Sequence, residues 1–356
     1  MTILGYRSVL LADGLFRTHQ TKTAMGIIRN APNTIMAVID RSTAGKSVGD
    51  IKKTNDNIPI IDNIHEILDK MPQSIVMGAY PENGILPSYW REQILIAVQL
   101  EMNIVSWFHQ ALTNDVAIAK AVNRKGINLY DVRQPPNETR ISQNIVHPKD
   151  SFTVLTVGSD CSVGKMTASL AIQAEAVRQN LNCNFVATGQ AGIILSGKGS
   201  CIDNIAGDYI AGEAEKLVLE SLRNNAWSII EGQGAIIHPS FSGVALSLLH
   251  GVKPDALVLC HDPTRITIKG TDVVIPSLPN LIQIYESAAS WINQAPVIGI
   301  ALNCQSLSEE ESIKAIHEAE KQTGLPATDS IKYGTRKLIN ALKKKYKQKL
   351  NKIKGG

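Results

Sequence analysis

The sequence predicts an α/β protein with two doubly wound, mainly parallel sheets, and three observations carry that expectation. Short apolar runs of strand length alternate throughout with helix-length stretches, the pattern of parallel strands joined by crossover helices. The alternation breaks once, at RQPPNETRISQNIVHPKD, where two prolines and a polar stretch interrupt the periodicity. A length of 356 residues exceeds one ordinary core and suits two. The expected division is a first domain over 1–140, a second over 150–335 and a basic tail over 336–356.

In the first half the strand-like runs are SVLLAD (8–13), TIMAVID (34–40), SIVMGAY (74–80), NIVSWFH (103–109) and NLYDVR (128–133), with helical spacing between them, as over Tyr89 to Leu100. The second half restarts with FTVLTVG (152–158), followed by NFVATG (184–189), WSIIEG (227–232), DALVLCHD (255–262) and PVIGIALN (296–303). Helices are expected between them over Met166 to Gln179 and Gly212 to Asn224, where Leu217, Leu222 and their neighbours can cover a sheet.

Composition narrows the function classes. Hydrophobic residues at 44% and charged residues at 19% describe a chain that buries large cores, which excludes disordered and fibrous proteins. No apolar run approaches the roughly eighteen residues of a membrane span, and the apolar stretch in MTILGYRSVLLADG is too short for a signal peptide. A cytoplasmic location without membrane contact is expected. The five cysteines (Cys161, Cys183, Cys201, Cys260, Cys304) are scattered, with no CxxC pair and no His at metal-ligand spacing, so neither a disulfide framework nor a zinc site is read. The net charge of +4 conceals an asymmetry: ten Lys or Arg and no acid fall in 331–356, leaving 26 basic against 32 acidic residues before them. That pattern suits a solvated helix end better than a nucleic-acid contact, and no function is assigned to the tail.

The most specific signal is FTVLTV-GSDCSVGKMT-ASLAIQAEAVRQN, which reads strand, glycine-bounded loop, helix. In that context successive backbone N–H groups converge on an anion at a helix N-terminus, and Lys165 adds a point charge. Gly158, Ser159, Asp160, Cys161, Ser162, Val163, Gly164, Lys165, Met166 and Thr167 are therefore the expected phosphate loop. It departs twice from GxxxxGK[ST]. Ser159 stands at the first glycine's place with Gly158 one residue earlier, and Met166 stands where the Mg²⁺-binding hydroxyl normally follows the lysine, although Thr167 is next. Asp160 would repel phosphate unless a cation intervenes or its side chain turns away, so it points to Mg²⁺ or a ligand ammonium. The bland alternative is a structural corner with an incidental lysine; the agreement of strand, loop and helix favours phosphate binding.

Ligands of open parallel sheets bind at the carboxyl ends of strands. There NFVATG runs into GQAGIILSGKG, with Gly189, Gln190 and Gly192; WSII ends in Glu231-Gly232-Gln233-Gly234 with His238 beyond; and DALVLC ends in His261-Asp262-Pro263-Thr264-Arg265. Glu213 and Glu215 read as structural acids near a helix start, and Asp203 and Asp208 stay undecided. The first half lacks GxGxxG, so a full dinucleotide site is not expected there, and Asp40-Arg41 at a ribose-recognition position is a weak signal. GAYPENG (78–84) could form one wall of a cleft between the domains.

Taken together, ADGLFRTHQTKTAMGIIR, VIDRSTAGK, GSDCSVGKMT, TGQAGIILSGKG, EGQGAIIHPSFSGVALSLLHG and PDALVLCHDPTR resemble the DUF1611 family, and the resemblance runs to TGLPATDSIKYGT. It implies a Rossmann-like first domain and a P-loop NTPase-like second domain. The loop GSDCSVGK and the segment EGQG also resemble the GTDxxVGKT and EGAGG of dethiobiotin synthetases. The family includes D-glutamate N-acetyltransferase, which implies transfer of acetyl from acetyl-CoA to the amino group of an acidic amino acid. The loop and Gly189, Gln190 and Gly192 would then hold coenzyme A, a phosphorylated ligand that needs no metal, and the thioester oxyanion. Glu231 or His238 would act as base, with Arg265 as clamp for the amino-acid substrate's carboxylates. The alternatives are an ATP–Mg²⁺-dependent ligase or kinase, with Thr167, Asp160 and Glu231 on the metal, and a nucleotide-binding regulatory protein. A homo-oligomer is the expected assembly, and nucleic acid is not an expected partner.

Overall fold

In a computed structural model, described over residues 7–81 and 85–355, the chain forms two compact units. The first comprises residues up to Pro135 together with Gln190–Asn204, and the second comprises Pro136–Gly189 and Ile205 onward.

The first unit holds six parallel strands, β1 (Ser8–Leu11), β2 (Ile35–Ile39), β3 (Ile60–Ile61), β4 (Ser74–Met77), β5 (Asn103–Ser106) and β6 (Leu129–Asp131). Their order, β3-β2-β1-β4-β5-β6, is the doubly wound Rossmann order. Strands β1 and β4 are buried along their whole lengths, which is why they read as continuous apolar runs rather than alternating ones. Helices α1 (Lys22–Asn30), α2 (Val48–Lys52), α3 (Ser88–Gln99) and α4 (Val116–Lys125) connect them. Asp115 caps α4 by accepting from the Ala117 and Ile118 N–H groups, and Gly126 closes it in the left-handed region.

The second unit holds six further parallel strands, β7 (Phe152–Gly158), β8 (Cys183–Val186), β9 (Trp227–Ile230), β10 (Ala256–His261), β11 (Val297–Leu302) and β12 (Ala327–Asp329). Its order is β12-β11-β10-β7-β9-β8. From β7 the chain turns one way, to β8, and from β10 the other way, to β11, so the topological switch point lies between β7 and β10. Helix α5 (Lys165–Arg178) follows β7 and α7 (Gly207–Leu222) precedes β9. Then α8 (Ser242–Val252), α9 (Leu278–Ser290) and α10 (Glu309–Thr323) alternate with the later strands. All ten expected strands form; the two-residue β3 and three-residue β12 are additions too short to give a sequence period.

Two features differ from the sequence expectation. The basic stretch, expected as a solvated helix end, is a helix, α11 (Arg336–Gly355), but one face of its first half packs into the core. Leu338, Ile339 and Leu342 are fully buried, and the Tyr346 ring lies 5.4 Å from Phe152 and 5.2 Å from Trp227. The second is the segment after β8. Helix α6 (Gln190–Ser196) joins the first unit, because Ile194 is buried in that unit's core with Leu195 against it. Gly189 stays in the second unit, whereas Gln190 and Gly192 do not.

Candidate functional site

The phosphate loop runs from the end of β7 to the first turn of α5 and is turned by left-handed residues at Ser162 (φ 63°) and Gly164 (φ 97°). Lys165 is 7% exposed and donates from Nζ to the Asp160 carbonyl oxygen at 2.8 Å, which folds the side chain back over the loop. Beneath it, the Thr156 Oγ1 on β7 meets the Ser169 Oγ of α5 at 2.9 Å and accepts from the Gly232 N–H at 3.0 Å. A Cβ at Gly232 would lie 1.8 Å from the Thr156 carbonyl oxygen, so only glycine lets this crossing of the chain beyond β9 sit against β7.

The loop is braced from the β10 side of the switch point. Ser159 is fully buried, and its Oγ meets the His261 Nδ1 at 2.9 Å. Burial, with the nearby Arg265, lowers the His261 pKa against the opposing pull of Asp262, keeping the ring uncharged at neutral pH. Asp160 is also fully buried; its Oδ2 accepts from Arg265 at 2.7 Å and from the Lys269 N–H at 2.8 Å, and its Oδ1 from the Cys161 N–H at 2.6 Å. Burial acts to raise the Asp160 pKa, but the Lys269 N–H, Arg265 and Cys161 N–H outweigh it and hold the group below the usual carboxylate range. The same Arg265 nitrogen donates to the Cys161 carbonyl at 2.6 Å. Arg265, expected as a substrate clamp, is thus engaged by the Asp160 carboxylate and the Cys161 carbonyl of the loop.

His238 is 5% exposed and faces this loop, its Nε2 3.8 Å from the Asp160 Oδ1. The His238 Nδ1 accepts the Ser240 N–H at 3.1 Å, so the proton of the neutral ring sits on Nε2. Glu231, 5% exposed at the end of β9, accepts from the Thr188 and Gly189 N–H groups at 3.1 and 3.2 Å. Gly189 therefore gives its N–H to Glu231 and is not a free oxyanion donor. Asp160, Cys161 and His238 form a group with ligand atoms within 4.8 Å of one another. The Arg265 guanidinium already neutralises its carboxylate, which does not fit a hard divalent cation. Thr167 is buried in the first turn of α5 and Met166 is half-buried beside it.

Residues 142–339 match the P-loop domain of unknown function DUF1611 (C-terminal), and residues 41–135 match its Rossmann-like N-terminal domain. The chain belongs to the DUF1611 family. It is similar to the D-glutamate N-acetyltransferase of Tritonibacter scottomollicae, at 33% identity over 90% of this chain and 93% of that protein. A protein of the same name from a Pseudoalteromonas species is 36% identical over 75% of this chain and 80% of its own length. Among solved structures, a DUF1611 family protein from Anabaena variabilis is similar with a TM-score of 0.88 and 32% identity, covering 96% of this chain and all of that one.

Within this DUF1611 chain, the acids that follow β1 and β2 are engaged by the protein itself. The fully buried Asp40 accepts from the Gly14, Phe16 and Ser42 N–H groups and the Ser42 hydroxyl, so it is not free for a ribose. Arg41 pairs with Asp13 at 2.8 Å. At the start of α1, the Gln190 Nε2 meets the Thr23 Oγ1 at 3.5 Å, and Arg133, 5% exposed, holds Asp203 at 3.1 Å. Of GAYPENG, residues 82–84 lie outside the described residues. Sequence reasoning missed Tyr285 on α9, whose hydroxyl donates to the Gly158 carbonyl at 2.7 Å and accepts from the Ile236 N–H at 3.0 Å. Its only signal is a phenol in an otherwise apolar helix face. His261 was legible only as a strand-end residue, without a role. Among the described residues, no helix is long and apolar enough to cross a membrane.

Proposed function

We propose that the protein transfers an acetyl group from acetyl-CoA to the amino group of an acidic amino acid, D-glutamate, with residues 158–167 holding a phosphate of the acyl donor. The observation that carries this reading is the internal pairing of Asp160 with Arg265: a phosphate loop whose acid is neutralised from within suits a phosphate ligand that brings no metal. The name shared by two relatives, each matched over at least 80% of its length, points to the same chemistry.

In the reaction the amine lone pair attacks the thioester carbon, the C–S bond breaks, the amine gives up a proton, and coenzyme A leaves as a thiol. Glu231 suits the base by position, since the Thr188 and Gly189 N–H groups hold its Oε2 at the carboxyl end of β9, beside the loop. His238 suits a donor to the thioester oxygen, because its Nδ1 is committed to Ser240 and its Nε2 carries the proton. Free-thiol release measured with acetyl-CoA and a panel of D- and L-amino acids should show a preference for D-glutamate. Glu231→Gln should then lower kcat by about 10²–10⁴ while acetyl-CoA still binds. No thiol release with any amino acid, alongside Mg²⁺-dependent ATP hydrolysis, would replace this reading with the ligase or kinase.

A further inference from the structure

We propose that the second unit carries a separate binding site for a small phosphorylated anion at the N-terminal edge of its sheet. A cavity of about 750 Å³ opens there, between the 144–149 segment, the end of α8 and one face of α11. That volume lies within the range of small-molecule sites. Five lysines line it, Lys149, Lys253, Lys345, Lys349 and Lys352, against a single lining acid, Asp255, which Lys349 engages at 2.7 Å. Lys345, Lys349 and Lys352 are four and three residues apart on α11 and so share one face.

Only the Lys349 charge is balanced within the lining, by Asp255. Lys253 is 9% exposed and gives its Nζ to the Asn144 side chain and the Ile145 carbonyl, both neutral. His147, in the wall, stays uncharged at neutral pH: burial, then Lys253 and Lys349, push its pKa down to about 4, and its buried Nε2 has no hydrogen-bond partner. Several ammonium groups around one hollow suit phosphate, which they bind as point charges. Val146 and Ile292, both exposed in the lining, suit an apolar part of the same ligand. The lysines gather around one hollow rather than along a groove that could track a polynucleotide backbone, which favours a small molecule. The site is distinct from the phosphate loop, because Phe152, in the lining, opens β7 and Gly158 closes it, about 20 Å away along an extended strand. The lysines of α11 also lie beyond the matched P-loop domain, which ends at residue 339.

The test is calorimetry on the full chain with pyrophosphate and with ADP, without Mg²⁺. The decisive titration uses a Lys165→Ala background, so that it does not depend on what the loop binds. One binding event is expected to remain in that background. It should weaken at least tenfold when Lys345→Glu and Lys352→Glu are added, with the melting temperature unchanged. Absence of any event in Lys165→Ala, or an event indifferent to the charge reversals, overturns the site. Charge reversals that weaken binding of a single-stranded RNA 20-mer and leave both phosphate probes unaffected would overturn it in favour of a nucleic-acid surface.

Discussion

Asp160 and Arg265 meet at 2.7 Å at the P-loop, and the pair has two consequences that separate its possible roles. If Arg265 braces the loop, Arg265→Ala should raise KM for acetyl-CoA at least as much as for glutamate, because the Asp160 charge is then left beside the phosphate. If it clamps the acceptor, the glutamate KM alone should rise. Steady-state kinetics with each substrate varied distinguishes these outcomes, and the geometry favours the first. The pair also sets an acid limit. The folded-state pKa of Asp160 lies below its unfolded value, so the pair's stabilisation is fully present above about pH 4 and is lost as pH falls through the folded value. Asp160→Ala, which leaves the guanidinium without its partner, should cost about 3 kcal/mol in urea denaturation at pH 7. That cost should shrink toward pH 2.

At the scale of elements, the chain between the two sheets is a strap rather than a loose linker. Glu215, fully buried on α7, accepts from the Ser142 hydroxyl and the Gln143 and Ile145 N–H groups, and Arg140 approaches it at 3.5 Å. A Cβ at Gly212, one turn earlier, would lie 1.8 Å from the Arg140 carbonyl oxygen. Glu215→Ala should therefore free residues 140–145 at a cost of about 1–3 kcal/mol. Faster hydrogen exchange at Gln143 and Ile145, with the β7 amides still protected, would mark the loss as local; uniform deprotection would show that the strap supports the whole core. Glu215 was readable as a structural acid but its partner was not, since a helix-start acid and a linker clip look alike until tertiary contacts are known. The same limit explains other differences. Strands such as β1 and β7 were legible because both faces are buried and their apolar runs are unbroken. Asp40 gave only a weak ribose signal by its position, and the folded turn reveals that Gly14, Phe16 and Ser42 use its oxygens. The phosphate loop was readable from local spacing, whereas the brace from Tyr285 depends on a residue 127 positions away.

For the whole molecule, the division of the chain is discontinuous: it leaves the second unit after Gly189, contributes α6 to the first, and returns by Ile205. A fragment of residues 1–135 therefore lacks Ile194, which is fully buried in the first unit's core. Burial of one such side chain contributes roughly 1.5–3 kcal/mol, a large share of a domain's net stability. The fragment alone should unfold with a broad transition and bind a hydrophobic dye, and residues 190–204 appended through a flexible linker should restore a cooperative melt. A sharp transition in the bare fragment would show that α6 is dispensable. The arrangement also fixes a timetable for biosynthesis. Residues 136–189 must be translated before α6 exists, a wait of several seconds at about 5–20 residues per second. Throughout that interval the nascent first unit carries an unfilled apolar patch, so the ribosome-bound chain is a natural client for chaperones well before either unit can act.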